Sequence, residues 1–254
     1  MSDILVHGFG GRLGSLICRV AADCGLRVVG GVRATKNSEN VDFPVFYDIW
    51  DCDIFADVII DSSIAAATPN VLDFALVKKK PLVVCTTGLP DACVEQIRAA
   101  SEHLPILYSA NMSLGVTLVY NLVRQAAAAL FDKDFDIEIV EAHHNRKNDA
   151  PSGTALVLAD VINSTIGGNH SYNMGRAGTG RRKPDEIGIH AIRGGTLAGS
   201  HKVIFAGHDE MIEISHSAMS GEVFARGACA AAKFLINKPP GLYDIADLFT
   251  NFAK

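Results

Sequence analysis

The sequence predicts an α/β protein, with a doubly wound parallel sheet in its first half and an α+β domain of different pattern after it. Short apolar strands alternate with helical stretches through the first hundred residues, the signature of parallel strands joined by crossover helices. The first strand-to-helix turn reads GFGGRLG at residues 8–14. From about residue 113 the alternation gives way to a long helix, an extended strand, a glycine-rich loop and three strand-like runs. With 254 residues, 48% of them AVILMFWYC and 20% charged, the chain can bury a large core and is no disordered polymer.

Strands are expected at 4–8, 27–32, 56–61, 81–86 and 105–110, and helices at about 12–24, 69–80 and 90–103. The second of these helices opens on Thr68-Pro69, a start signal because proline is tolerated only in a first helical turn. A long helix from 113, a strand over DIEIVEAHH and a helix starting near Ser152 follow. Residues 167–188 are expected as a glycine-rich loop, and Arg176, Arg181, Arg182 and Lys183 make it read as a solvated, mobile basic stretch. Strand-like IHAIRGG, HKVIFAG and MIEISHS precede a last, alanine-rich amphipathic helix at 221–236.

Net charge is −5, which leaves no electrostatic footprint for nucleic acid. The six cysteines form no CxxC pair and most sit in apolar runs, as buried thiols of a reducing compartment do. No leader-like segment or 18-residue apolar run is present, so a cytoplasmic protein without membrane contact is expected. Nine histidines lack compact ligand spacing with Cys, Asp or Glu, and no metal is expected.

The turn at Gly8, Phe9, Gly10, Gly11, Arg12 and Leu13 has the spacing that lets a chain turn tightly and its backbone approach a pyrophosphate, with a helix N-terminus supplying donors. Placed after a strand in a βαβ pattern it predicts a Rossmann-type dinucleotide site. The second strand ends GGVRATK, where Arg33 and Lys36 stand and no acid does. Basic groups attract a 2′-phosphate, so NADPH is preferred and NADH is the second cofactor. Two later strand ends, with Cys85, Thr86 and Thr87 and then Ser109, Ala110, Asn111 and Met112, suit the nicotinamide half.

The segment EAHHNRKNDAPSGT at 141–154 sets two histidines and a lysine before a helix start with Ser152 as N-cap. Backbone donors at Gly153 and Thr154 with Lys147 nearby would take a carboxylate. This segment resembles the signature of the dihydrodipicolinate (4-hydroxy-tetrahydrodipicolinate) reductase family, and GFGGRLG, TTG at 86–88, ANMSLGV at 110–116 and GLYDIADLF at the end resemble it in the same order. The resemblance implies hydride transfer from NAD(P)H to C4 of a cyclic imine dicarboxylate, with His143 and Lys147 as the proton-transfer pair, His144 contacting substrate, and Gly153 with Thr154 binding a carboxylate. It also implies a dinucleotide domain of 1–112 and 221–254, and an inserted substrate-binding and oligomerisation domain at 113–220 whose open mixed sheet builds a homotetramer. Two departures stand out: the family commonly has glycine where Cys85 stands, and an acid near the end of the second strand. The competing enzyme is another two-domain Rossmann-type reductase, an amino-acid or semialdehyde dehydrogenase; the latter would need an activated cysteine, and 141–154 holds none. A sensor that binds NADPH without turnover would have no use for the His-His-Lys set.

Overall fold

The computed structural model describes residues 1–35 and 41–249. The chain divides into two compact units, one of Met1–Leu114 with the segment from Gly221 onward, the other Gly115–Ser220.

The first unit holds β1 (Ser2–His7), α1 (Arg12–Val20), β2 (Leu26–Val32), β3 (Val45–Phe46), β4 (Val58–Asp61), α2 (Thr68–Lys78), β5 (Leu82–Val84), α3 (Asp91–Ser101) and β6 (Pro105–Tyr108). Its seven strands are all parallel, in the order β12-β6-β5-β4-β1-β2-β3, where β12 is Gly241–Tyr243 near the end of the chain. Alternation along β1 explains why helices cover both faces. Ile4 and Val6 pack on Ile17 and Val20 of α1 and on the late helix α6 (Glu222–Leu235), whereas Leu5 packs with Val71 and Ala75 of α2 and Ile97 of α3.

Small residues bring α6 close to its neighbours. Ala225, Ala228, Ala231 and Ala232 are fully buried, and a Cβ built at Gly227 would lie 1.6 Å from the Met112 carbonyl oxygen. The expected helix at 12–24 stops earlier, at Val20, because the chain turns through Ala21–Cys24 and leaves at Gly25 with φ +74°. Two short strands, β3 and β12, lie where the sequence analysis placed none.

The second unit holds α4 (Leu114–Leu130, its first residue in the first unit), β7 (Asp136–His143), α5 (Gly153–Thr165), β8 (Ser171–Asn173), β9 (Glu186–Arg193), β10 (Gly199–Ala206) and β11 (Met211–Ala218). The five strands form a mixed sheet, β11-β10-β7-β9-β8, with β7 and β8 parallel to β9 and the other pairs antiparallel. One face packs Ile139, Ile189, Val203 and Phe205 against Val123 of α4 and Leu158 and Ile162 of α5.

The segment 167–188 departs from the expected mobile loop. It contributes β8, and its arginines are tied down: Arg176 bonds Glu138 at 2.9 Å and Glu186 at 2.6 Å, and Arg182 bonds Asp136 at 2.8 Å and Glu138 at 3.1 Å. Gly188 makes room for this network, since a Cβ there would meet the Glu138 carboxylate. Among the described residues no helix is long and apolar enough to cross a membrane.

The tightest helix-to-strand approach generates a prediction. A Cβ at Gly14 would lie 2.3 Å from the Gly8 carbonyl oxygen, and backbone cannot yield as a side chain does. Gly14→Ala is therefore expected to destabilise by about 1–3 kcal/mol in urea melts. Gly194→Ala, where a Cβ meets nothing within 4 Å, serves as the control and should stay near wild type.

Candidate active site

The strand order of the first unit reverses between β1 and β4, and ligands of open α/β sheets bind in the crevice at such a point. β1 delivers the chain to Gly8, whose φ of +82° is accessible to glycine at no steric cost. A Cβ there would lie 2.8 Å from Ser62 backbone, so the turn is also packed too closely for any side chain. Gly11 caps α1 in extended conformation with no side-chain cap, which leaves the first-turn donors for a ligand. A glycine cradle closed to a Cβ and a helix start without a side-chain cap fit a dinucleotide diphosphate.

Two cavities share this turn. One of about 510 Å³ is lined by Gly8, Gly10, Gly11 and Arg33, with Tyr47 and Asn70 opposite. The other, about 410 Å³, is lined by Arg12, Leu13, Cys85, Thr87, Ala110, Asn111 and Met112. The expected cofactor residues thus divide between two pockets, and three line neither. Phe9 is buried with its ring beneath the Arg33 guanidinium, 5.0 Å from it, and edge-on to Phe43 at 5.4 Å. The Thr86 hydroxyl donates to Asp61 at 3.0 Å, and that of Ser109 donates to the Asn111 carbonyl at 3.0 Å. These two side chains support the loops from beneath instead of lining the cavities. Arg33 is only 7% exposed, stacked and pre-oriented. Lys36 lies outside the described residues.

Asp61 was not anticipated. It ends β4 fully buried, and it accepts from Ser63 N–H at 3.2 Å, Ser63 Oγ at 2.6 Å, Thr68 Oγ1 at 2.9 Å and Thr86 Oγ1, while pairing with His7 Nδ1 at 3.0 Å. Burial alone would raise its carboxyl pKa, but the bonds from His7, Ser63 and Thr68 outweigh burial and hold it below the usual carboxylate range. The sequence signal was available: an acid closing the otherwise apolar run VIID.

In the second unit the organising group is Glu141, also unanticipated. Alternation along β7 sets it in line with Ile137 and Ile139, facing the core, where it is fully buried. Arg193 reaches both oxygens, at 2.8 and 2.7 Å, His143 Nδ1 lies 2.6 Å from Oε2, and Ser152 N–H donates to Oε1 at 2.9 Å. Burial again raises this carboxyl, and Arg193, His143 and Ser152 together hold it below the ordinary range. Register explains the meeting, because His143 and Arg193 are partners across the parallel β7/β9 pair.

Ser152 is the N-cap of α5, accepting from Ala155 N–H at 3.2 Å and bonded to His201 Nε2 at 2.9 Å. His201 stacks edge-on to His143 at 5.2 Å and is pushed down to about 4, first by burial and then by the neighbouring charge of His143. Lys147 also acts on it through space, so the lysine lies in the same field. Its ammonium sits 2.9 Å from Asp149, whose carboxyl it holds below the usual range. β7 ends at His143, so His144 lies beyond the strand with its Nδ1 buried and unpartnered. Gly153 and Thr154 occupy the first two positions of α5, the positive end of its dipole, and Gly153 faces open space on its Cβ side. His143, Ser152 and the start of α5 are thereby joined through Glu141. Among the described residues no cluster of His, Cys, Asp and Glu has the arrangement of a metal site.

Comparison with known proteins places this geometry. The family model described as dihydrodipicolinate reductase, N-terminus, matches residues 2–112, and its C-terminus counterpart matches 115–249. A 4-hydroxy-tetrahydrodipicolinate reductase of Caldanaerobacter subterraneus is 49% identical over 98% of both chains, and one of Clostridium tetani is 44% identical over 96% of both. A dipicolinate-bound dihydrodipicolinate reductase from a Paenisporosarcina species shares the fold with a TM-score of 0.80 at 22% identity, covering 98% of this chain and all of that one. An amine dehydrogenase of Mycobacterium smegmatis shares it more loosely, at 0.64 and 9% identity, covering all of this chain and 97% of that one. With both halves of the chain matched in order and relatives this similar along its length, the chain belongs to the dihydrodipicolinate reductase family.

Proposed function

We infer that the chain reduces 4-hydroxy-tetrahydrodipicolinate, by way of the cyclic imine dicarboxylate, to tetrahydrodipicolinate in lysine and diaminopimelate biosynthesis. The observation that carries this is the 49% identity to a 4-hydroxy-tetrahydrodipicolinate reductase over 98% of the chain. A nicotinamide cofactor, when bound, supplies the hydride. NADPH is the preferred form and NADH the alternative.

The first unit supports a reading as dinucleotide domain. The glycine turn and the start of α1 suit the diphosphate, Arg33 the 2′-phosphate, and the second cavity, with Thr87 and Asn111, the nicotinamide end. The second unit supports a reading as substrate domain. A helix N-terminus at Gly153 and Thr154 together with the Lys147 ammonium suits a carboxylate, and the His144 carbonyl accepts from Lys147 N–H at 3.2 Å.

Reduction at C4 of the conjugated ring leaves an electron-rich C3 that must take up a proton. His143 has the equipment to deliver it. Glu141 accepts from Nδ1 and fixes the ring orientation, which leaves Nε2 as the atom free to pass a proton. Arg193 keeps the buried carboxylate ionised and in place. The lysine ammonium adds positive potential where negative charge develops.

Assembly as a cytoplasmic homotetramer belongs to the same reading. It is supported by a sheet face on which half-buried Val140 and Ile204 sit opposite the helices, next to Ile192, 51% exposed.

The reading is tested by following NADPH and NADH absorbance with freshly made product of dihydrodipicolinate synthase; no turnover with either nucleotide would refute it. His143→Ala or Lys147→Ala should lower kcat by about 10²-fold or more with dinucleotide Kd unchanged. Glu141→Gln keeps the shape and removes the charge that orients the His143 ring, so it should lower kcat with dinucleotide Kd unchanged, while Arg193→Lys does less. Arg33→Ala should lower kcat/KM for NADPH about tenfold and leave NADH nearly unaffected, the difference shrinking as salt rises. Equal values for both nucleotides in the wild type, unmoved by the substitution, would show that Arg33 does not read the phosphate.

A further inference from the structure

We propose that His7 contacts the dinucleotide, donating Nε2–H to the bridging phosphates while Asp61 takes Nδ1–H, so that cofactor binding takes up a proton. The proposal rests on the dinucleotide reading of the first unit's crevice and adds to it a residue outside the glycine turn and the basic pair.

The observations are local and independent of the motif. His7 is the last residue of β1 and the register partner of Asp61 on β4, the two strands between which the sheet order reverses. The imidazole is 12% exposed and lines the same 510 Å³ cavity as Gly8, Gly10 and Gly11. Its Nδ1 is 3.0 Å from Asp61 Oδ1. Among the described residues nothing bonds Nε2, and that atom is not among the sealed, unpartnered ones, so it reaches the cavity.

Asp61 cannot turn away from the ring. The donors of Ser63, Thr68 and Thr86 hold the carboxylate from three other directions, and those bonds with that of His7 keep it ionised. An ionised carboxylate only accepts, so Nδ1 carries a hydrogen in either charge state of the ring. A neutral ring then offers a bare Nε2, which is an acceptor. A diphosphate bridge is also an acceptor, and the two repel. Protonation turns Nε2 into a donor and makes the contact charge-assisted. The bound state is therefore the imidazolium, and affinity falls as pH rises and the free ring loses its proton. Asp61 from β4 contacts this ring, Arg33 from the end of β2 and Asp48 from the segment after β3 are the charged groups lining the same cavity, and Arg12 at the start of α1 lines the adjoining one. Of these residue types and histidine, only an imidazole ordinarily changes charge between about pH 6 and 8.5.

NADH is the proper probe, because a 2′-phosphate itself titrates near pH 6. Its Kd is measured by nucleotide fluorescence and by calorimetry in two buffers of different ionisation heat, on the full-length protein. Wild type should bind NADH about tenfold more tightly at pH 6 than at pH 8.5 and take up close to one proton at the upper pH. His7→Asn and His7→Gln retain a hydrogen bond to Asp61 without the charge; both should bind weakly and with little pH dependence, with melting temperatures confirming the fold. Affinity in the wild type that is flat with pH overturns the proposal, and so does a slope that survives in either folded variant. If the wild type binds neither NADH nor NADPH at either pH, the dinucleotide reading fails first and this inference with it.

Discussion

A carboxylate carried to the end of a buried strand must be met by donors from several directions, because an unpaired charge in the interior costs more than any one contact returns. Asp61 and Glu141 impose that condition on the two units. Each is fully buried, each accepts from side chains and from a backbone N–H, and each holds a histidine by Nδ1. Around Asp61 the donors come from β1, from the loop before α2, from the first residue of α2 and from the loop after β5. Around Glu141 they come from β7, β9 and the residue before α5. The loops that carry the functional side chains are thus positioned by the demand of a buried charge, on strands that alternation and packing already hold rigid.

The consequence differs between the units. Asp61 is met by hydroxyls, a backbone N–H and the His7 ring, so its charge is stabilised throughout but balanced only by a protonated His7. Glu141 is met by a guanidinium in bidentate geometry, so the pair is close to neutral and its field on His143 is moderated. The same device therefore underlies a glycine turn in one unit and orients an imidazole ring in the other.

Much of this was legible in the sequence. The parallel strands were read from their apolar runs, the turn at 8–14 from its glycines, and the N-cap Ser152 from its place before a helical pattern; the structure has that serine accepting from Ala155 N–H. Other features required tertiary information. The partners of Glu141 depend on β7/β9 register, and Arg193 lies 52 residues away. The inward position of Glu141 followed from the alternation Ile137, Ile139, Glu141, and it was missed because the histidines two and three residues on drew the chemistry to themselves. β3 is two residues long and β12 three, too short for periodicity to register. The basic loop was misread for a related reason: Arg176 and Arg182 find Glu138 only once β7 lies beneath them. Thr86 and Ser109 were read as ligand-facing hydroxyls, and strand-end position alone could not say that they turn inward.

The histidines around Ser152 show how one fold gives two neighbouring imidazoles different surroundings. His143 lies against the Glu141 carboxylate, whereas His201, 5.2 Å away ring to ring, is buried and faces the positive fields of His143 and Lys147. Glu141 pulls His201 in the opposite direction, but burial and the cationic neighbours prevail, and the ring is driven to about 4. Two adjacent imidazolium rings would repel, and burial already keeps His201 from adding a second charge beside His143. His201 can then serve as an uncharged support. It bonds the hydroxyl that caps α5 and packs against the edge or face of the His143 ring, coupling the helix end that would receive a carboxylate to the side chain that would deliver the proton. Neighbouring rings held in different surroundings can divide the tasks of proton transfer and support between them. Here the division follows from which of the two rings the strand register places beside Glu141.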